Sequence, residues 1–165
     1  MFRATEHPDS VQNTMSFLSG VTVGNQNGEK LDAAQATEGK VVALYFSAMW
    51  CGSCRQFLPK LKKFFDAVKK AGKPLEIILV SRDKADEDLE EYFKEHNGDW
   101  LHLFFGDEKI QEYLAHFEVP TIPALRVIRP DGTVAVKDAR FEVQDKGAED
   151  PVALFDSWQA AVNSK

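Results

Sequence analysis

Two cysteines are the whole thiol complement of this 165-residue chain, and they stand three positions apart in Trp50-Cys51-Gly52-Ser53-Cys54. Any disulfide within the chain is therefore local. Closing so short a loop removes little entropy from the unfolded state, so stapling the fold is a poor reason for the pair. A secreted disulfide scaffold would distribute more cysteines. The spacing suits exchange chemistry: one thiolate attacks a disulfide, and a second thiol close by attacks the mixed disulfide that results.

The sequence before the pair supports that division of labour. Val41–Ser47 is an apolar, β-rich run and reads as a buried central strand. Cys51 follows it and stands where a helix begins. Helix N-terminal N–H groups and the macrodipole favour negative charge there, and the thiolate is the attacking species. Cys54, three residues on, turns back toward Cys51 and lies deeper. Cys51 is thus read as the attacking thiol and Cys54 as the resolving one. Gly52 and Ser53 keep the turn small enough for a bulky protein disulfide, and the Ser53 hydroxyl could reach a thiolate. Trp50 beside an exposed pair suits a binding surface. Two other readings stand beside this one, inert core cysteines and half of a zinc site. Zinc needs two more ligands, but no second cysteine pair or close histidine pair exists, and His96 and His102 are isolated. No bound metal is expected.

A second signal is Val119-Pro120-Thr121-Ile122-Pro123-Ala124. Pro123 cannot sit inside a ladder, so it must enter or end a strand. A cis bond before it would turn the Ile122 N–H and C=O outward beside the cysteines, where they could pair with an extended substrate backbone. A trans proline in a plain loop is the alternative.

The elements that must position these residues follow from the hydrophobic pattern. Thr14 to Gly39 reads as short strands and turns. A helix runs from Cys54 to about Ala71, with Cys54, Phe57, Leu58, Leu61, Phe65 and Val68 on one face and Gly72 as its stop. Leu75–Ser81 is a second buried strand, which makes a parallel βαβ unit. Ala85–His96 reads as a charged amphipathic helix and Trp100–Phe105 as a short strand. Asp107–Phe117 is a helix with Asp107 as its cap. Ala124–Ile128 and Thr133–Lys137 flank Arg129-Pro130-Asp131-Gly132 as an antiparallel hairpin. Asp150–Val162 closes the chain as a helix with Val152, Phe155, Trp158 and Val162 inward. The expected fold is α/β, a central mixed sheet with helices on both faces. Residues 1–13 are expected to be flexible and residues 14–165 to form a single domain.

Composition excludes other classes. The net charge is -6, which repels a phosphate backbone, so no nucleic-acid partner is expected. No stretch approaches the roughly 18 apolar residues of a membrane span. The first fourteen residues lack the apolar core of a secretory signal, so a cytoplasmic location is expected, and the chain is expected to be a monomer.

Taken together, these residues resemble the thioredoxin superfamily, and its tryparedoxin and nucleoredoxin branch most closely. The elements are Tyr45-Phe46-Ser47-Ala48-Met49-Trp50-Cys51-x-x-Cys54-Arg55, Val80-Ser81-x-Asp83, Trp100 with Phe105, Ile122-Pro123, Asp131-Gly132 and Ala139-Arg140. Thioredoxins proper usually carry a buried Asp where Tyr45 stands. The resemblance implies a thioredoxin fold with an N-terminal extension of short strands, and a protein-disulfide reductase without a bound cofactor. Electrons would come from an external dithiol: trypanothione, glutathione or a reductase. Clients would include peroxiredoxins. Carried over, Cys51 and Cys54 are catalytic, and Trp50, Gly52, Ser53, Arg55, Ile122, Pro123 and Arg140 border the substrate site. Arg140 would meet a carboxylate of a glutathione-type donor, or else is a surface arginine in a passage after the hairpin. The chain departs from the branch in three places. Gly52-Ser53 replaces Pro-Pro, Arg82-Asp83-Lys84 replaces Trp-Asp-Glu, and Phe104 replaces a usual Pro. These departures favour, as an alternative, a nucleoredoxin-like redox-sensing module with little turnover.

Overall fold

The computed structural model describes residues 15–164. The segment 1–13, expected to be flexible, lies outside the described residues. The strands are β1 (Thr22–Gly24), β2 (Lys30–Asp32), β3 (Val41–Ser47), β4 (Leu75–Ser81), β5 (Leu101–Leu103), β6 (Ala124–Ile128) and β7 (Val134–Val136). The helices are α1 (Ala33–Ala36), α2 (Gly52–Lys70), α3 (Asp86–Glu91), α4 (Lys109–His116), α5 (Ala139–Lys146) and α6 (Pro151–Asn163), with a π turn at Tyr92–His96 directly after α3.

The strands form one mixed sheet in the order β2-β1-β5-β4-β3-β6-β7. β3 and β4 run parallel, from Val41 opposite Leu75 to Ser47 opposite Ser81, and β5 continues parallel beside β4. β6 is antiparallel to β3, and β7 to β6. Every residue of β3 and β4 is buried, as their unbroken apolar runs require of strands covered on both faces. Alternation divides their side chains. Val41, Ala43, Tyr45, Leu75, Ile77 and Leu79 pack under α2, α3, α5 and α6, whereas Val42, Leu44, Phe46, Ile78 and Val80 pack under α4 and the N-terminal strands. The second group joins the N-terminal extension to the main core through Leu18, Val21 and Val23.

The local signals in the sequence act as read, with some displacement. α2 ends at Lys70, and Gly72 follows with a φ of 79°, a left-handed stop that glycine adopts freely. Asp150 caps α6 by accepting from the Ala153 N–H at 3.1 Å. In α6 the fully buried positions are Leu154, Phe155 and Trp158, while Val152 and Val162 are half-buried. Three departures stand out. α4 begins at Lys109, two residues later than read, because Asp107 bonds the Lys109 N–H at 2.9 Å from ahead of the helix. The helix read over Ala85–His96 changes to a π turn at Tyr92. The passage after the hairpin, around Arg140, is helix α5.

Candidate active site

β3 ends at Ser47 in the centre of the sheet, and the chain crosses Ala48, Met49 and Trp50 before entering α2. Cys51 is the N-cap of that helix. Its backbone is extended, and its sulfur accepts the Cys54 N–H at 3.3 Å. A sulfur thus takes the role that Ser, Thr or Asp usually fills at a helix start, and a thiolate fills it best. The Ser53 hydroxyl, offered by the sequence as a thiolate partner, has no hydrogen bond among the described residues, so this backbone N–H serves instead.

The cysteines differ in depth as read, but Cys51 lies deeper than the exposed thiol expected. Cys51 keeps 9% of its surface in solvent and Cys54 none. Burial above all, with the neighbouring Cys51 side chain, pushes the Cys54 thiol up to about 12, and the polar groups of Ser47 and the Ala48 backbone offset this only in part. Cys54 is therefore held as a thiol until something draws its proton.

The approach to Cys51 is open. Gly52 and Ser53 are exposed, and a Cβ added at Gly52 would meet no other atom within 4 Å. Trp50 is 56% exposed and is tethered by its indole N–H to the Arg82 carbonyl at 3.3 Å. Arg55 turns back and donates to the Met49 carbonyl at 2.6 Å, so it braces the loop that carries Trp50. A cleft of about 460 Å³ runs along α2 between Arg55, Leu58, Lys62, Asp66 and His96, and neither cysteine lines it.

Across from the pair, the Ile122–Pro123 bond is cis. The Ile122 carbonyl lies 3.8 Å from the Cys51 sulfur, and the Ile122 side chain packs against the small cluster of Ala48, Cys51 and Cys54. The Ile122 N–H has no partner among the described residues, which leaves it free for a visiting backbone. Arg140 joins this loop from α5. Its Nη1 approaches the Pro123 carbonyl at 3.5 Å, its Nε donates to Gln144 at 2.9 Å, and its guanidinium lies over the Phe141 ring at 4.8 Å. The structure thus places all nine sequence-selected residues around one entrance, with Pro123 buried and lending its backbone.

Sequence reasoning passed over Asp83 as a site residue. It is 8% exposed; one carboxylate oxygen accepts the Met49 N–H at 2.9 Å and the other the Ser81 hydroxyl at 2.6 Å. Asp83 therefore fixes the turn that carries Trp50 and Cys51. The motif Ser81-x-Asp83 was visible, but its partner Met49 was not.

A dithiol at the first turn of a helix, fed by a central parallel strand and faced by a cis-proline loop, defines a thioredoxin-like oxidoreductase with a Cys51/Cys54 pair. The family profile described as thioredoxin-like matches residues 39–134, and the chain belongs to that family. Arg140 lies beyond the matched segment. A probable nucleoredoxin 1 from Arabidopsis thaliana is 37% identical over 111 residues, which cover 67% of this chain and 19% of that protein. The chain thus spans about a fifth of that relative's length. A thioredoxin crystal structure from Wuchereria bancrofti superposes with a TM-score of 0.73 at 40% identity, covering 87% of this chain and 97% of that one. Tryparedoxin II complexed with glutathionylspermidine superposes with a TM-score of 0.70 at 33% identity, covering 81% and 92%. Among the described residues, no helix is long and apolar enough to cross a membrane.

Proposed function

We propose that this protein reduces disulfides of other proteins, working as a monomer in the cytoplasm. One observation carries the reading: the Cys51 sulfur sits on the Cys54 N–H at 3.3 Å, with the unpaired Ile122 backbone N–H across from it. An extended client segment pairs with the Ile122 backbone, as a strand pairs with a sheet edge, and its disulfide sulfur meets Cys51. The Cys51 thiolate attacks, one client sulfur leaves, and a mixed disulfide forms. Cys54 then attacks the Cys51 sulfur and frees the second client thiol. Trp50, Gly52, Ser53, Pro123 and Arg140 border the client or donor, and Arg55 supports Trp50.

An external dithiol returns two electrons to the Cys51–Cys54 disulfide; trypanothione, glutathione or a reductase each fit this role. That tryparedoxin II forms a complex with glutathionylspermidine supports a low-molecular-weight donor of this kind. Peroxiredoxins are the proposed clients. Insulin-disulfide reduction with dithiol donors tests the reading. Turnover that vanishes in Cys51→Ser is expected, and a wild-type rate no higher than background refutes it.

The slight exposure of Cys51, 9%, favours a second reading, a redox-sensing module that holds one partner. Trapping on immobilised Cys54→Ser separates the two. Many clients held by mixed disulfides support the reductase, and one partner retained by a Cys51→Ser column supports the sensor.

A further inference from the structure

Helix α5 carries an aromatic ring that folding does not use. The helix is anchored by its buried side chains, Ala139 and Val143, and by Glu142, whose carboxylate accepts the Trp158 indole N–H from α6 at 2.7 Å. Phe141 lies off that face and is 51% exposed. Single exposed apolar residues are ordinary on a protein surface, so the exposure alone assigns no task. The placement does. Among the described residues three large hydrophobic side chains are exposed, Trp50, Phe105 and Phe141, and all three stand at the end of the sheet that carries Cys51. Trp50 follows the end of β3 by three residues and Phe105 the end of β5 by two, and both strands run parallel to β4. β6 begins at this same end, with Ala124 opposite Phe46, and antiparallel β7 returns the chain to it just ahead of α5.

A series of contacts joins Phe141 to the thiol. The Cys51 sulfur lies 3.8 Å from the Ile122 carbonyl, Arg140 Nη1 lies 3.5 Å from the carbonyl of the next residue, Pro123, and the Arg140 guanidinium lies over the Phe141 ring at 4.8 Å. Gln144 accepts from Arg140 Nε at 2.9 Å and so holds the guanidinium in place. Client backbone paired with Ile122 is extended, advances about 3.3 Å per residue and sends alternate side chains to the same face. On the Pro123 side, the side chain two residues from the reacting cysteine therefore comes level with the Phe141 ring. A disulfide with short substituents ends before it. The ring also sets the kind of side chain it takes. Arg140 already occupies the cation position on the ring and repels a second cation, which leaves an apolar group as the occupant that fits.

We propose that Phe141, held by Arg140, is a specificity-determining residue of the client site, packing against an apolar side chain two residues from the cysteine whose disulfide Cys51 attacks. The proposal rests on the exchange role assigned above. Contact removes the ring and the client side chain from water together, and aromatic residues are frequent anchors of such contacts. The gain is made on binding, so it acts on KM and leaves the sulfur chemistry alone.

Two peptide dimers joined by a disulfide test this, one with leucine and the other with serine two residues on either side of the cysteine. Dithiothreitol is the donor, with its own background subtracted. Wild-type kcat/KM is expected to be about fivefold or more higher for the leucine dimer, with the difference in KM. Phe141→Gln keeps a good helix former at an exposed position and should bring the ratio near one by raising KM for the leucine dimer. Phe141→Leu should retain most of the preference. A wild-type ratio near one, a preference that survives Phe141→Gln, or equal slowing of both dimers overturns the proposal. So does a dimer of this chain in sedimentation that Phe141→Gln disperses, since a second copy would then be what covers the ring. Should Phe141→Gln lose its far-ultraviolet circular dichroism, Phe141→Ala decides by the same ratio. Wild-type protein that reduces neither dimer instead overturns the exchange reading itself.

Discussion

The Asp83 carboxylate accepts the Met49 N–H at 2.9 Å, although 34 residues separate the two in sequence. This bond ties the end of β4 to the turn between β3 and α2, so the central strands jointly set where Trp50 and Cys51 stand. Trp50 repeats the connection through its bond to the Arg82 carbonyl at 3.3 Å. Asp83→Ala leaves the Met49 N–H and Ser81 hydroxyl without their acceptor, a loss of about 1–3 kcal/mol in stability. Misplacing Cys51 should also lower kcat/KM for insulin reduction by about tenfold or more. Urea unfolding and steady-state assay of one preparation check both effects.

Arg126 performs a similar task on the opposite side of the entrance. It is 8% exposed and gives Nη1 to the Lys137 carbonyl at 2.9 Å and Nη2 to the Glu118 carbonyl at 3.5 Å. Glu118, at a φ of 50°, begins the loop to Pro123, and Lys137 precedes the helix of Arg140. Its Nε has no partner among the described residues, and Asp138 offsets the cost of burying the charge only in part. An apolar group of similar size escapes the desolvation cost of the buried cation, which offsets the loss of its two hydrogen bonds to carbonyls. Arg126→Met is thus expected to keep stability within about 1 kcal/mol while KM for a protein disulfide rises several-fold with kcat little changed. A loss of stability with KM unaltered would show that Arg126 serves the core alone.

What was legible in the sequence follows the range of each interaction. The all-apolar runs of β3 and β4 and the cysteine spacing are local, so the strand, the helix start and the greater depth of Cys54 could be read directly. Helix α5 could not. It buries Ala139 and Val143 alone and has no side-chain cap, so no periodic face announces it. Arg140 therefore read equally well as a surface residue. Tyr92 read as one apolar position of an amphipathic helix, because its partner Ser47 lies 45 residues away and the π turn that aims it has no pattern of its own. The depth of Cys51 was hidden for the same reason, since Ile122, which covers it, lies 71 residues on.

Arg82 and Lys84 are exposed, and the Arg82 backbone holds the Trp50 ring. Their charges lie beside the expected donor entrance. Unscreened within about 10 Å at 0.1 M salt, they attract anionic glutathione and repel a polyamine-linked thiol. The double variant Arg82→Trp with Lys84→Glu should raise the ratio of kcat/KM for trypanothione over glutathione several-fold at low salt. The gain should shrink in 1 M salt, where the screening length is about 3 Å. A ratio indifferent to both charge and salt would locate the donor elsewhere.

Glu76 on β4 gives the fold a pH dependence of known sign. It is 8% exposed, accepts the Ile77 N–H at 3.1 Å and meets Lys40 Nζ at 3.5 Å. Burial raises its pKa above the ordinary carboxylate value, and Lys40 and the Ile77 N–H offset this only in part. The folded state thus prefers the protonated form more than the unfolded chain does. The stability from that preference is full below the unfolded pKa of about 4.3 and is lost as pH rises through the raised folded value. Glu76→Gln keeps the shape and cannot ionise. Its stability relative to wild type should therefore increase with pH across that window and level off above it. Urea unfolding of both proteins from pH 4 to pH 8 measures the difference; a gap that stays constant, or closes as pH rises, would mean that the Lys40 pair outweighs burial.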